Sequence, residues 1–142
     1  MAIRYPLRPG KICICDFRNT IYPEICKKRP VIILNSVEQD LSIVVPCSTT
    51  SPNPVREWHY FLTLETPLPA PYDSKTQWVK CDLLMTVSHS RLQLPFIGKD
   101  ATGKRIYDIR DVNYNDFHAI KQCVLNALAF KATLEPVDNL PF

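Results

Sequence analysis

The stretch Lys11-Ile-Cys-Ile-Cys-Asp-Phe17 reads as a β-strand. With a side-chain period of two, Ile12, Ile14 and Asp16 share one face and Cys13, Cys15 and Phe17 the other. On that pattern the cysteine pair belongs to a core and not to a ligand set. Working outward, segments rich in β-branched and aliphatic residues recur at short intervals: Val31 to Asn35, Ser42 to Cys47, His59 to Glu65, Thr76 to Cys81 and Met85 to Leu92. Turn-forming stretches separate them, notably Asn19 to Pro30, Thr49 to Pro54 and the proline-rich run Thr66 to Ser74. Short strands so punctuated predict a mainly β chain closed as a small barrel.

From Asn113 onward the period changes. Phe117, Ile120, Val124, Ala127 and Leu128 fall at near-helical spacing, with Asn113 or Asn115 placed to cap the first turn. The expectation is an α+β chain, mainly β, with one long amphipathic helix near its C-terminal end. Residues 136–142 include two prolines and are expected to be extended and loosely held. A length of 142 residues suits one domain, spanning 1–142, and is short for two.

Composition excludes several classes of function. The chain has 3 glycines and 13 prolines, where average usage gives roughly ten and seven. Gly10, Gly98 and Gly103 form no cluster, so a P-loop or dinucleotide fingerprint is excluded. Net charge is +3, unevenly spread: through Arg29 seven basic residues face only Asp16 and Glu24, a local surplus of five that suits contact with phosphates. No apolar run has signal-peptide or membrane-spanning length, so a cytoplasmic protein without membrane contact is expected. Six cysteines with no Cys-x-x-Cys pair read as reduced and mostly buried, and His59, His89 and His118 lie too far apart to suggest a metal site.

Four pieces in order carry a resemblance. Arg8-Pro-Gly-Lys-Ile-Cys-Ile-Cys-Asp-Phe17, Lys28-Arg-Pro-Val-Ile-Ile-Leu34, Val44-Val-Pro-Cys-Ser-Thr49 and Val79-Lys-Cys-Asp82, followed by Arg91-Leu92, resemble the MazF/PemK family of toxin endoribonucleases over roughly Arg8 to Leu128. The sequence departs from the family pattern at Lys11, at Ser48 where the family mostly has Thr, and at Leu83 and Met85 after the aspartate. The first loop keeps only Glu24 of its usual motif.

The resemblance implies a small SH3-like barrel of the CcdB/MazF type. It also implies metal-independent, sequence-selective cleavage of single-stranded mRNA with no cofactor, the ribose 2′-OH acting as nucleophile. The expected partners are a cognate antitoxin, a second copy of the chain in a homodimer, and operator DNA bound together with the antitoxin. Such cleavage needs a cation for the phosphorane, a base and an acid. Arg29 suits the cation, since a guanidinium stays charged and binds phosphate oxygens in a bidentate way; the alternative is a surface charge beside Pro30. Ser48 takes the place of the family's phosphate-binding Thr, with turn capping as its alternative. Asp82 matches the aspartate proposed as base in the PemK branch, Lys80 the acid beside it, and Glu24 is a second base candidate in the loop.

Lys27, Lys28, Thr49, Thr50 and His59 are candidate nucleic-acid contacts, and the imidazole pKa range suits His59 to proton transfer. Trp58, Tyr60 and Trp78 are able to stack on unpaired bases, although a core or dimer contact is the preferred reading of Trp78. The alternative function is a barrel without catalysis that binds nucleic acid or a protein target, as the related CcdB toxins bind gyrase.

Overall fold

The computed structural model describes Ile3 and residues 5–130. Among these residues nine strands precede one helix: β1 (Ile12–Cys15), β2 (Arg29–Glu38), β3 (Leu41–Ser48), β4 (His59–Thr63), β5 (Thr76–Lys80), β6 (Met85–Ser88), β7 (Leu92–Gln93), β8 (Phe96–Lys99), β9 (Arg105–Tyr107) and α1 (Tyr114–Ala127). Two single 3-10 turns, Cys81–Leu83 and His89–Arg91, follow β5 and β6. The tail expected at 136–142 lies outside the described residues.

The main sheet runs β4-β5-β3-β2-β1-β7, with β6 also paired to β3. β4 and β7 stand at the two ends of this path and do not pair with one another, so the closed barrel expected from the strand spacing is not formed by these pairings. β3 is the hub. One edge pairs with β2, while the other pairs first with β6 over Leu41 to Val44 and then with β5 at Cys47 and Ser48. Pro46, which has no N–H to donate, stands where that edge changes partner.

Alternation buries both faces of the central strands. Ile12, Ile32, Val45 and Cys47 join one apolar cluster with Leu62, Val79 and Cys81, and α1 lays Ile120 and Cys123 on it. Cys13, Cys15, Val31, Ile33 and Val44 face the other way, where Ile3, Leu7, Phe17, Val87 and Leu92 cover them. Cys13 and Cys15 are fully buried, and burial pushes each thiol up to about 12, as befits packing groups and not nucleophiles. Gly10 turns the chain into β1 with φ +92°, in the left-handed region that favours glycine.

Asn113 caps α1, its side chain accepting from Asp116 N at 2.8 Å. Tyr60 on β4 anchors the helix by donating to Asp116 Oδ1 at 2.5 Å. Leu128, expected on the buried stripe, is instead the C-cap residue and is exposed. The segment Met85 to Leu92 is not one strand, because Ser88 accepts from Ser90 N and Leu92 N donates to His89 O, which closes the turn between β6 and β7. His89 is a core histidine, 1% exposed, and hydrogen-bonds Ser42, which reaches Ser36 and through it the Leu7 backbone.

Candidate functional site

Strand register brings the candidate residues together. Val31 on β2 pairs with Pro46 on β3, so the same antiparallel register carried two residues further sets Arg29 across from Ser48. On its other edge Ser48 pairs with Trp78 of β5, and Trp78 pairs with Phe61 of β4. The next pair along is Lys80 with His59. Arg29 is an even step from Val31, Ser48 from Val44, and Trp78 and Lys80 alternate with Val79 and Cys81, which pack under α1. Arg29, Ser48, Trp78, Phe61, Lys80 and His59 therefore share the sheet face opposite the helix.

Asp82 follows in the 3-10 turn and carries a half-exposed carboxylate. Its Oδ1 lies 3.8 Å from His59 Nε2. The His59 ring is oriented from behind, since Nδ1 accepts the backbone N–H of Arg56 at 2.9 Å. The neutral ring thus carries its proton on Nε2, toward Asp82. Arg29 is half-buried and makes no ion pair with any described residue, which leaves its guanidinium available to an anion. Ser48 is 4% exposed, and its Oγ accepts from Thr50 N at 3.1 Å. The turn-capping role and a free hydroxyl proton therefore coexist on one side chain.

Other candidates lie elsewhere. Glu24 is exposed and spends its carboxylate on its own turn, Oε1 accepting from Ile21 N at 2.6 Å. Lys28 lines a cleft of about 150 Å³ with Asp16, Ser90 and Arg91, on the β1 side and away from Ser48. Lys27, Thr49 and Thr50 are exposed. Tyr60 faces α1 and is not available for stacking, whereas Trp58 sits edge-on to His59 at 6.0 Å.

The structure gives roles to three residues, Arg91, Tyr72 and Arg110, that the sequence alone leaves without one. Arg91 donates from Nη1 to the carbonyls of Asp16 and Arg18 at 3.0 and 3.1 Å, tying the first loop to the turn after β6. Asp16 is itself held by Arg18, which pulls its carboxyl down to about 2. Tyr72, from the proline-rich loop, packs on the helix-side cluster. Burial raises its phenol while the Arg29 charge acts against that shift. Arg110 fixes the base of the same loop by donating to the carbonyls of Thr66 and Pro67.

A family model described as the PemK-like, MazF-like toxin of type II toxin–antitoxin systems matches residues 8–113. The chain belongs to that family. It is 32% identical over 95 residues to an uncharacterised protein of Haemophilus influenzae; the match takes in 58% of this chain and 66% of that relative, just under two thirds. Two solved structures share its fold: a mycobacterial endoribonuclease (TM-score 0.56, 16% identity, 87% of this chain and 92% of that one), and the Mycobacterium tuberculosis toxin MazF-mt6 (TM-score 0.55, 19% identity, 88% and 100%). No helix among the described residues is long and apolar enough to cross a membrane.

His59 gives this family member a pH signature. Burial lowers its pKa below 6.5, ahead of the opposing influence of Asp82. The unfolded chain then binds the proton more tightly, so folding stability is full above pH 6.5 and falls as pH drops through the folded pKa. His59→Gln keeps an acceptor for Arg56 N but does not titrate. Chemical denaturation between pH 7.5 and 5 is expected to show a shallower acid loss in the variant than in the wild type. Equal slopes would place His59 in water.

Proposed function

We propose that this chain is the toxin of a type II toxin–antitoxin pair and a metal-independent, sequence-selective endoribonuclease of single-stranded mRNA. The observation that carries the reading is the row Arg29–Ser48 beside Lys80, His59 and Asp82 on one open sheet face, in a chain of this family. The solved relative called an endoribonuclease supports it.

In this reading the scissile phosphate sits between Arg29 and Ser48, which hold its non-bridging oxygens as negative charge grows on them. Asp82 takes the proton of the 2′-OH. The 2′-oxygen bonds to phosphorus while the bond from phosphorus to the 5′-oxygen breaks. Lys80 returns a proton to that 5′-oxygen, leaving a 2′,3′-cyclic phosphate and a 5′-hydroxyl. His59 positions the Asp82 carboxylate. The chain works as a single domain, a variant of the SH3-like barrel, in a cytoplasmic homodimer whose basic surface also receives the acidic, partly disordered tail of an antitoxin. With the antitoxin it binds operator DNA.

The test is a long single-stranded RNA incubated with purified protein in EDTA, with the cut ends mapped. Cuts at a short recurring sequence with cyclic-phosphate or 3′-phosphate ends are expected. Intact RNA across varied sequences would overturn the reading in favour of a non-catalytic barrel acting on a protein target, the direction in which Leu83 and Met85 point.

A further inference from the structure

The six cysteines are all free thiols, and two of them meet between elements far apart in the chain. Cys81 opens the 3-10 turn after β5 and is 0% exposed, while Cys123 lies on α1 and is 9% exposed. Both belong to the helix-side cluster, together with Ile120. Ile120 and Cys123 are three residues apart and so share one face of the helix. The Ile120 carbonyl points along the helix toward the following turn, where Cys123 sits, and Cys81 Sγ lies 3.7 Å from that carbonyl oxygen. The two thiols in turn hydrogen-bond each other.

The pair is not symmetric. When Cys123 ionises, Cys81 keeps its proton and donates it to the Cys123 sulfur. That hydrogen bond raises the Cys81 thiol, with burial acting in the same sense, and it lowers Cys123 against the effect of burial. Burial pushes Cys13, Cys15 and Cys47 up to about 12, so Cys123 stands apart from them. A stabilised thiolate at the rim of a cluster, with a second thiol in contact behind it, is the arrangement of an oxidisable pair. Cys123 is the sulfur that a small oxidant meets first, because Cys81 is wholly enclosed.

We propose that Cys81 and Cys123 are a redox modification site, converted by hydrogen peroxide into a disulfide that staples α1 to the turn carrying Asp82. The Cys123 thiolate attacks one peroxide oxygen; the S–O bond forms, the O–O bond breaks, and the hydroxide released takes up the proton that Cys123 gave away. The Cys81 sulfur then attacks the Cys123 sulfenic acid. The S–S bond forms as the S–O bond breaks, and the departing hydroxide leaves as water with the Cys81 proton. Two thiols lose two electrons, and the peroxide is reduced to two waters. The Cys81 N–H donates to Trp58 O at 3.2 Å, so the stapled turn also holds the segment that sets His59 against Asp82. In a reducing compartment the pair rests as thiols, and the staple forms only under an oxidant load.

The test exposes the purified, reduced full chain to hydrogen peroxide, unfolds it and blocks the remaining thiols with iodoacetamide. Four blocked cysteines in place of six are expected, with tryptic peptide 81–91 joined to peptide 122–131, and dithiothreitol restores all six. Closing this loop is expected to raise Tm by about 5–15 °C. Cys123→Ala and Cys81→Ala each lose the cross-link and the shift, whereas Cys47→Ala keeps both. Should a variant fail to fold, the peptide map of the wild type decides alone. Six blocked thiols after oxidation, a cross-link through any other cysteine, Cys123 carried on to a sulfinic acid with Cys81 still free, or an unchanged Tm in the cross-linked protein would each overturn the staple. Every readout is made without RNA, so a chain that fails to cut RNA removes the ribonuclease reading and leaves the thiol pair standing.

Discussion

Arg29→Ala is expected to lower kcat/KM for cleavage of single-stranded RNA by about two to three orders of magnitude, the usual effect of deleting one preorganised donor to a developing oxyanion. The thermal transition should hardly move, because Arg29 has no ion-pair partner among the described residues and substitutions at such positions change stability by roughly 0.5 kcal/mol or less. Arg29→Lys separates charge from geometry: an ammonium keeps the charge but loses the bidentate fork, so partial activity is expected. Parallel melting and cleavage assays check both variants. A melting point that collapses with Arg29→Ala would make the side chain part of the scaffold, and full activity would move the phosphate site elsewhere.

Phe17→Ala is expected to have the largest effect on the fold. The ring is 1% exposed and packs with Cys13, Cys15, Val31 and Leu92 beneath the central strands. Its carbonyl accepts both the backbone N–H and the hydroxyl of Thr20, which start the loop toward Lys27 and Lys28. Removing a buried phenyl ring costs about 3–5 kcal/mol in transfer and cavity terms together, a large share of the ~5–15 kcal/mol that holds a domain of this size. Urea denaturation followed by circular dichroism measures it. A loss below ~1 kcal/mol would mean that the surrounding side chains close over the gap.

The sequence makes the two periodicities plain. Ile12 to Phe17 alternates as the two buried clusters require, and Asn113 caps the helix whose stripe runs through Phe117, Ile120 and Val124. The β8–β9 hairpin escapes because a register shift between Phe96 and Gly98 blurs its alternation. Its signal is the turn itself, in which Asp100 accepts from Thr102 N and Lys104 N while Gly103 takes φ +84°.

The site is only half legible for a different reason. Alternation alone places Trp78 and Val79 on opposite faces, but which face receives α1 depends on packing between segments far apart in the chain. Likewise the motif residues Arg29, Ser48 and Asp82 are visible one by one. That Ser48 borders Trp78, or that His59 turns Nε2 toward Asp82, follows from strand register, which no local pattern encodes.

The hub position of β3 bears on when the protein can act. Cys47 waits for Val79, Ser42 for Val87, and on the far edge Cys15 waits for Leu92. Each is a long chain closure whose entropy is paid before its own contacts reward it. On a ribosome adding about 5–20 residues per second, the row from Arg29 to Phe61 stays unassembled for roughly 1.5–6 s after Ser48 has emerged, until Trp78 follows. A nascent chain therefore carries the residues of the candidate site without its geometry until β5 has been made and has paired with β3.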